Sequence, residues 1–391
     1  MDYGTLSHVK IILATPVYPP EFGGPATYTK GLALKLRDRH EIVVVAYAST
    51  SELIDGITLH VASKRRPLPI RIIKFSLLLY KASRGADVIY VQNAMAAGLP
   101  AVIIGTLRNI PVVLKFVGDE AWERASQNEK TEKRLEEFLA KPEGGLQTTL
   151  RMMIQGFVLR HADIVTTPSI YLRDAIVRTY GIKNERAVVN YNAAVIDSEA
   201  VFSATPVAHQ IVTTARLVEW KGLDGIICAV AILKKKYPDV KAVIAGDGPE
   251  EEKLKKLAKE LGVEGSVKFT GRVSRAETWH LRKSSEVYVL NSTYEGLPHT
   301  ALTSFAARIP MVATDIPGTN EAVYDGVSGL LVPAGDDQAL ADAISRLFDD
   351  SALRARLVDG AERILNEKFS WDAHLKTLFG FFESVRAKPR N

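Results

Sequence analysis

The chain has 391 residues, of which 47% are hydrophobic and 24% charged, and its formal net charge is +5. This length exceeds what one hydrophobic core usually organises, so the sequence predicts two domains. The positive charge favours anionic partners, but no stretch interleaves basic residues with stacking aromatics, which argues against a nucleic-acid-binding protein. The single cysteine, Cys228, cannot form an intrachain disulfide, and neither a membrane-spanning run nor an export signal is recognisable. A cytoplasmic protein is therefore expected.

Short apolar runs alternate with amphipathic helical stretches in the first half of the chain. The runs that predict strands are HVKIILAT, EIVVVAY, ADVIYVQ, IPVVLKF, ADIVTTP and RAVVNY. After the first run, the stretch YPPEFGGPATYTKGLALKL places Gly23 and Gly24 just before a helix with Pro25 in its first turn. Their bare backbone would let an anionic or polyol ligand approach the helix N-terminus, and a plain tight turn is the alternative.

Residues 64–84, KRRPLPIRIIKFSLLLYKASR, hold seven Lys or Arg and no acidic residue. From Ile70 onward this pattern predicts a helix with a basic arc and an apolar arc. The basic arc contains Arg71, Lys74, Lys81 and Arg84, and the apolar arc contains Ile72, Phe75 and Leu79. Such a helix suits peripheral binding to an anionic membrane surface. The alternative is a helix that covers a sheet and leaves a solvated basic edge.

The second half repeats the alternation of strands and helices. Its apolar runs are HQIVTTA, VKAVIAG, SVKFTG, EVYVLN, IPMVAT and SGLLVP, and FSWDAHLKTLFGFFESVRAK predicts a terminal helix with an aromatic stripe. The break between the halves is expected within residues 197–210, where periodicity lapses around Pro206. Two such series predict an α/β protein with two doubly wound parallel sheets. Ligands bind such sheets at the carboxyl ends of the strands, so a site in the cleft between the domains is expected.

The loop after the first strand of the second half contains two cations. In TTARLVEWKGLDGI, Arg216 and Lys221 lie between a strand and a helix beginning near Leu223. Both can converge on one diphosphate, Arg216 as a planar fork and Lys221 as a point charge. Two solvated surface cations are the alternative interpretation.

A second polar segment, NSTYEGLPHTALTSF, follows the run EVYVL. Glu295 comes directly after the strand, Gly296 allows close backbone approach, and Pro298 suits the first turn of a helix. Amides there would hold a phosphate or sugar oxygen, while Glu295 would accept hydrogen bonds from sugar hydroxyls. His299 and Thr300 would add contacts, although a lone histidine is more often structural.

Two motifs are missing from the chain. It contains no G-x-G-x-x-G, which disfavours a nicotinamide or flavin cofactor, and no D-x-D, the pattern that would bridge a diphosphate through a metal. We therefore expect neither a cofactor nor a metal, and cations and helix dipoles would have to neutralise a bound diphosphate.

In order and spacing these segments resemble the retaining glycosyltransferases of family 4, which have the GT-B fold of two facing Rossmann-like domains. The matching segments are YPPEFGGPATYTKGLALKL, HADIVTTPS, NYNAAVID, ARLVEWKG, AGDGP, FTGRV and YEGLPHTALTSFAARIPMVATDIPGTNEAVYDGVSGLLV. They extend over nearly the whole chain. The resemblance implies an acceptor-binding domain over residues 1–200, a nucleotide-sugar-binding domain over residues 205–368, and a terminal helix over residues 369–391 that packs back toward the N-terminal domain.

The resemblance also implies an activity. A hexose would pass from a UDP- or GDP-sugar, with retention of configuration and without a metal, to a saccharide or lipid-linked acceptor, as in cell-surface glycan or glycolipid synthesis. The enzyme would be cytoplasmic or peripheral at the inner face of the membrane. Arg216 and Lys221 would neutralise the leaving diphosphate, and Glu295 would hold the donor sugar. The implied donor-binding residues are Gly23, Gly24, Gly246, Gly271, Arg272, Gly296, Leu297, Pro298, His299, Thr300 and Thr303.

Two positions depart from the family pattern. Asp119 stands where many members have a histidine lining the acceptor side; it is a candidate catalytic residue, with a helix N-cap as the alternative. Thr303 replaces the second glutamate of the pattern, so ribose recognition is either weaker or has moved. A same-fold epimerase or phosphorylase and a non-catalytic nucleotide-sugar-binding protein remain alternatives, which product analysis would separate.

Overall fold

A computed structural model of the protein describes residues 8–21, 24–128, 130–131, 133–194 and 204–387. The chain divides into two compact units, one formed by Met1–Tyr191 with His374–Asn391 and the other by Asn192–Ala373. The predicted break at residues 197–210 falls partly outside the described residues. The first strand of the second unit begins at Val207.

The first unit contains a parallel sheet. Its strands are β1 (Lys10–Thr15), β2 (Glu41–Ala48), β3 (Thr58–Ser63), β4 (Val88–Gln92), β5 (Val112–Lys115), β6 (Ile164–Thr167) and β7 (Ala187–Val189). Among the described residues their order is β3-β2-β1-β4-β5-β6-β7. Strand β2 is buried along its length after Glu41, as expected when helices cover both faces of a sheet.

Strand β3 was not predicted from the sequence. It lies at the edge of the sheet, where it pairs only with β2 among the described strands, and most of its side chains are partly exposed. An edge strand of this kind needs no continuous apolar run, so TLHVAS lacks the signal that marked the other strands. The strands predicted from the apolar runs are confirmed.

Helices connect the strands of the first unit. They are α1 (Gly24–Leu36), α2 (Leu68–Ala82), α3 (Leu99–Arg108), α4 (Glu120–Gln127), α5 (Leu135–Ala140), α6 (Leu146–His161) and α7 (Ile170–Tyr180). Strand order reverses between β1 and β4, and α1 leaves β1 beside this point.

The second unit contains a second parallel sheet. Its strands are β8 (Val207–Thr214), β9 (Lys241–Ala245), β10 (Val267–Gly271), β11 (Ser285–Leu290), β12 (Met311–Thr314) and β13 (Leu330–Val332). In the part of the chain that the structure describes, their order is β10-β9-β8-β11-β12-β13. Its helices, followed by the C-terminal helix, are α8 (Leu223–Leu233), α9 (Glu251–Glu260), α10 (Arg275–Lys283), α11 (His299–Ala306), α12 (Asp337–Asp349), α13 (Ser351–Lys368) and α14 (Trp371–Arg386).

Helix α14 packs on the first unit through its predicted aromatic stripe. Phe379 and Phe382 are 2% and 1% exposed, and His374 Nε2 lies 2.6 Å from the hydroxyl of Tyr28. That hydroxyl lies 2.9 Å from the hydroxyl of Tyr90 on β4. Truncating a buried aromatic side chain to Ala typically costs about 3 to 5 kcal/mol, so this helix contributes to the core of the first unit.

Helix length and hydropathy bear on membrane insertion. Over the described ranges, no helix combines the length and the apolar character needed to cross a membrane. The apolar strands of both sheets are instead covered by helices that are apolar on one side, as in α12, where buried Leu340, Ile344 and Leu347 recur at helical spacing.

Candidate functional site

The candidate site of the second unit lies where its strand order reverses. Strands β8 and β11 are neighbours there, although they are far apart in sequence. Ligands of doubly wound sheets bind at the carboxyl ends of the strands at such a reversal. The loop after β8 contains Arg216 and Lys221, and the loop after β11 contains Glu295.

Lys221 and Glu295 contact each other directly. Lys221 Nζ lies 2.6 Å from Glu295 Oε1, and the two side chains are 22% and 11% exposed. The hydroxyl of Ser292 donates a hydrogen bond of 2.8 Å to the same carboxylate oxygen. The structure therefore brings together two residues that the sequence separates by 74 positions, and it adds Ser292, which was not predicted.

Hydrogen bonds between the two loops explain this meeting. The Asn291 side-chain amide donates to the carbonyl of Gly222 at 2.8 Å, and the Thr293 amide donates to the carbonyl of Trp220 at 2.8 Å. Gly222 has φ +57°, and a Cβ atom on it would lie 2.1 Å from the carbonyl oxygen of Asn291. Only glycine fits this approach, which places Lys221 two residues before the start of α8, found at the predicted Leu223.

A pocket of about 520 Å³ opens at the ends of β8, β9 and β10, and one of its lining residues is Arg216, from the loop that also contains Lys221. It is lined by Thr214, Ala215, Arg216, Ala245, Gly246, Asp247, Gly248, Arg272, Val273 and Thr278. Arg272 Nη2 lies 3.1 Å from Asp247 Oδ2, with side chains 77% and 51% exposed. So exposed a pair contributes little stability and is easily rearranged. Arg216 is also exposed, so two arginines and one aspartate are among the residues that line the pocket.

The glycines of the segment AGDGP shape the pocket wall. A Cβ atom on Gly246, whose φ is +144°, would lie 1.8 Å from the carbonyl oxygen of Ala215, and one on Gly248 would lie 2.2 Å from that of Leu217. The loop after β9 therefore lies directly against the loop after β8. Gly271, with φ +67°, accepts a hydrogen bond of 2.9 Å from the Gly246 amide. Gly246 and Gly271 thus determine the shape of the pocket through the backbone.

The start of α11 differs from the prediction in one respect. Pro298 is the N-cap residue rather than a member of the first turn, and no described side chain caps this helix. His299 is exposed, and its Nε2 lies 2.9 Å from the side-chain amide of Asn192, so it has a structural contact. The positive end of the helix dipole lies at this N-terminus and favours an anionic ligand.

The remaining donor-site candidates lie in α11 or in the segment that leads into it, and they are less exposed than His299. Leu297 is 6% exposed, and Gly296 and Thr300 are partly buried. The hydroxyl of Thr303 donates to the backbone carbonyls of His299 and Thr300, both at 3.1 Å. Its proton is therefore used within the helix, and a ligand could contact this hydroxyl only as a hydrogen-bond donor to its oxygen.

A further element of the site lies within the last of the matching segments, although none of its residues was named as a site residue. Gly318, with φ +84°, approaches the loop after β11 so closely that a Cβ atom on it would lie 2.2 Å from the carbonyl oxygen of Glu295. The next residue, Thr319, is fully buried, and its hydroxyl has no hydrogen-bond partner among the described residues. The Pro-Gly dipeptide before Thr319 is the only signal in the sequence that could have marked this turn.

Three of the predicted site residues belong to the first unit, namely Gly23, Gly24 and Asp119. Gly24 is the first residue of α1 and is exposed, and nothing lies within 4 Å of a Cβ atom built on it. Gly23 lies outside the described residues. The position of Gly24 at the start of α1 agrees with either a ligand-approach site or a plain turn before the helix.

Asp119 is a helix N-cap, the alternative considered for it. Its Oδ1 accepts a hydrogen bond of 2.9 Å from the Trp122 amide, and its Oδ2 accepts hydrogen bonds from the Tyr180 hydroxyl at 2.5 Å and the Gln155 amide at 2.7 Å. The residue is 1% exposed, and burial raises the pKa of its carboxyl. Because both oxygens are bonded inside the core, the catalytic role predicted for Asp119 is not supported.

A buried lysine in the first unit was also missed. Lys115, the last residue of β5, is 4% exposed, and its Nζ lies 4.4 Å from the centre of the Tyr28 ring. Burial lowers the pKa of Lys115 to about 7. A lysine within the otherwise apolar run IPVVLKF was the available signal.

Comparison with known proteins matches both halves of the chain. Residues 23–193 match the model described as glycosyl transferase 4-like domain, and residues 205–364 match glycosyl transferases group 1. Over 175 residues, 45% of each chain, the protein is 34% identical to an alpha-D-kanosaminyltransferase of Streptomyces kanamyceticus. Over 214 residues, 54% of this chain and 60% of the relative, it is 34% identical to a lipopolysaccharide core biosynthesis glycosyltransferase of Rhizobium meliloti. The chain thus spans about half the length of these curated relatives.

Solved structures resemble the whole chain. Anabaena HepE in complex with UDP aligns over 96% of this chain and all of its own, with a TM-score of 0.73 and 20% identity. Sucrose-phosphate synthase from Thermosynechococcus elongatus aligns over 97% of this chain and all of its own, with a TM-score of 0.75 and 18% identity. Two Rossmann-like units with such neighbours define the GT-B fold. The chain belongs to the GT-B glycosyltransferases of family 4 type.

Proposed function

We propose that the protein is a retaining glycosyltransferase that transfers a hexose from a UDP- or GDP-sugar to a saccharide or lipid-linked acceptor. The reaction requires no metal and serves the synthesis of a cell-surface glycan or glycolipid. The observation that carries this proposal is the contact between Lys221 and Glu295 at the strand-order reversal; Lys221 shares its loop with Arg216, which lines the pocket.

The chemistry of these groups suits a nucleotide-sugar donor. When the bond between the anomeric carbon and the diphosphate breaks, negative charge develops on the departing diphosphate. Lys221 and Arg216 supply two positive charges to it, and a preorganised cation in a partly water-excluded site stabilises such charge strongly. Lys221 then no longer neutralises Glu295, whose carboxylate becomes available to hydroxyl groups of the donor sugar while Ser292 holds it in place.

Each charge in the pair has a role in the unliganded protein. A partly buried carboxylate or ammonium group without a partner is costly, so the mutual contact of Lys221 and Glu295 stabilises both until a donor binds. The positive N-terminus of α11 and the exposed Arg216 add further attraction for a diphosphate.

The names of the relatives support the donor and acceptor classes. A kanosaminyltransferase transfers an amino sugar, a lipopolysaccharide core glycosyltransferase acts in the assembly of a lipid-linked saccharide, and HepE has been solved with UDP-glucose. The two relatives are 34% identical to this chain over about half of its length, and HepE shares its fold. The UDP-glucose bound to HepE favours UDP over GDP as the first nucleotide to test.

A panel of UDP- and GDP-sugars in thermal-shift assays, with and without EDTA, should identify the donor. The stabilising donor is then incubated with saccharide and lipid-linked acceptors, and the products are analysed by mass spectrometry and NMR. We expect a new glycosidic bond that retains the anomeric configuration and forms equally well in EDTA. An inverted product would contradict retention, and loss of activity in EDTA would contradict metal independence. An isomerised donor would indicate an epimerase, and binding with no product from any acceptor would indicate a nucleotide-sugar-binding protein.

A further inference from the structure

Three helices of the first unit form one layer on its sheet. Helices α2, α3 and α6 lie in the connections that lead from β3 to β4, from β4 to β5 and from β5 to β6, all in the same direction across the sheet. Right-handed crossovers therefore place them on the same face. Helix α2 packs beside α3, and α3 packs beside α6. The outer surface of this layer is here called the α2–α3–α6 face.

Helix α6 exposes a continuous apolar stripe on this face. Leu146, Leu150, Met153 and Phe157 are 84%, 53%, 64% and 39% exposed. Their spacing of three and four residues places them on one side of the helix. The opposite side includes Val158 and Leu159, which are fully buried. The helix therefore has an apolar side toward the core and a second apolar side toward the outside.

Helix α2 repeats this arrangement and corrects the arcs predicted from the sequence. Two members of the predicted apolar arc, Phe75 and Leu79, are fully buried, and the Phe75 ring stacks on Tyr47 of β2 at 4.3 Å between centroids. The third member, Ile72, is 37% exposed. The outward side carries a different stripe, formed by Ile70, Ile73, Leu77 and Tyr80 at 52%, 60%, 54% and 45% exposure. Between the two stripes, α3 exposes Ile103 and Leu107 at 46% and 72%.

The charged side chains of α2, α3 and α6 all have one sign, whereas α7, which follows in the same direction and packs beside α6, carries Asp174 in an ion pair with Arg173. None of the three helices contains Asp or Glu, although the chain has 45 acidic residues among 391. Their basic residues are Arg71, Lys74 and Lys81 in α2, Arg108 in α3, and Arg151 and Arg160 in α6. The guanidinium carbon of Arg108 lies 3.8 Å from the centre of the Tyr80 ring, so a cation and an aromatic residue join α2 to α3 within the face.

We propose that the α2–α3–α6 face docks on an anionic lipid bilayer, with the helices lying in the plane of the membrane surface. Apolar stripes flanked by basic residues match the acyl and headgroup regions of such a bilayer, and aromatic residues such as Tyr80 and Phe157 favour the boundary between them. An acid-free basic surface complements anionic lipid headgroups, and this complementarity favours a membrane over a second copy of the chain, whose face would carry the same positive charge. The sequence indicated only α2 for this role, and the structure extends the surface to α3 and α6.

Vesicle flotation with the full chain tests the proposal. The probes are vesicles of phosphatidylcholine alone and of phosphatidylcholine mixed with phosphatidylglycerol, at low and high salt. We expect flotation with the anionic vesicles at low salt, loss of most binding at high salt, and little binding to neutral vesicles. Absence of flotation with anionic vesicles at low salt would overturn the proposal, and equal binding to neutral vesicles would overturn its electrostatic part.

Matched variants assign the binding to this face. Lys74→Glu with Lys81→Glu should weaken anionic-vesicle binding about tenfold or more, because two charges are reversed at the surface. Lys235→Glu with Lys268→Glu changes the net charge equally at exposed positions of the second unit and should leave binding unchanged.

An apolar pair of variants tests insertion. Leu150→Ser with Met153→Ser should reduce vesicle binding at every salt concentration. The control is Leu53→Ser with Leu261→Ser, which changes two leucines outside the α2–α3–α6 face that are 82% and 41% exposed, and it should leave binding unchanged. Thermal unfolding confirms that each variant is folded. Equal losses in the variants and their controls would contradict the assignment. The proposal would also be overturned if the chain did not float and instead eluted as a dimer in size-exclusion chromatography. Dissociation of that dimer by Leu150→Ser with Met153→Ser would identify a self-association surface.

Discussion

Lys221 Nζ and Glu295 Oε1 lie 2.6 Å apart, across two loops that follow adjacent parallel strands. The pair is largely buried, and Ser292 donates a hydrogen bond to the same oxygen. In the proposed reaction this contact must open, because Lys221 cannot neutralise a diphosphate and Glu295 equally well at the same time. The pair therefore couples the stability of the free protein to its activity.

Substitution of either member should separate these two effects. Lys221→Ala should lower kcat/KM about a hundredfold or more, the usual scale for losing one charge-stabilising donor. Lys221→Met alone leaves the Glu295 carboxylate partly buried without its cation and should lower the free energy of unfolding by about 1 to 3 kcal/mol. Steady-state kinetics and denaturant unfolding measure the two quantities.

The double variant Lys221→Met with Glu295→Gln provides the control. It removes both charges, so it should recover part of the lost stability while activity stays low. Glu295→Gln alone should lower kcat more than it lowers the melting temperature. Near-normal turnover of Lys221→Ala would exclude Lys221 from the mechanism, and a large loss of stability in Glu295→Gln with normal kcat would make Glu295 structural.

Gly248→Ala should damage the pocket without touching any charged group. Its Cβ atom would lie 2.2 Å from the carbonyl oxygen of Leu217, so the loops after β8 and β9 must separate. We expect a loss of about 1 to 3 kcal/mol in the free energy of unfolding and weaker nucleotide binding in calorimetry. Gly265→Ala is the matched control, because nothing lies within 4 Å of its Cβ position. If both variants bind nucleotide equally well, the pocket is not the nucleotide site.

Thr303 tests how the ribose is held. Because its hydroxyl donates to helix carbonyls, a ribose hydroxyl could only donate to it, and Thr303→Ala should raise the donor KM several-fold, about 0.5 to 1.5 kcal/mol, with little change in kcat. Thr303→Glu restores the carboxylate of the family pattern and should tighten binding of UDP or GDP. Calorimetry with both nucleotides decides the outcome: weaker binding by Thr303→Glu means that ribose recognition has moved, and no change in either variant means that Thr303 is not at the ribose.

Lys115 should make stability depend on pH. Its pKa is about 7 in the folded protein and near 10.4 when unfolded. Between these values the unfolded chain binds a proton that the folded chain does not, so the free energy of unfolding should rise with pH from about 7 to about 10, by up to about 1.4 kcal/mol per unit. Below pH 7 both states are protonated, and this contribution no longer changes.

Lys115→Met isolates this effect from other titrating groups. Near and below pH 7 the variant should have the higher free energy of unfolding, and the difference from wild type should be largest there. The difference should shrink as the pH rises. Parallel pH profiles of the two proteins, measured by denaturant unfolding, would show that Lys115 keeps an ordinary pKa.

Much of the fold was predictable because buried parallel strands carry a strong local signal. Runs such as EIVVVAY must be apolar along their whole length when helices cover both faces, so they stand out in the sequence. Strand β3 does not, because among the strands that the structure describes it pairs only with β2, and most of its side chains are partly exposed. The start of α8 was predictable for a similar local reason, since Gly222 and the apolar run after it mark a helix boundary.

The sequence by itself determined the two sheets apart from edge strand β3, the start of α8, the candidate cations of one loop and the candidate carboxylate of another, because periodicity and turn residues act over short distances. Only the tertiary structure decided which of these residues meet. Lys221 reaches Glu295 because β8 and β11 are neighbours and because Gly222 lets one loop lie on Asn291. Asp119 became a buried cap because Tyr180 and Gln155, from two other helices, close over it. The outward stripe of α2 was likewise invisible in the sequence, since two apolar sides on one helix can be told apart only when the sheet covers one of them.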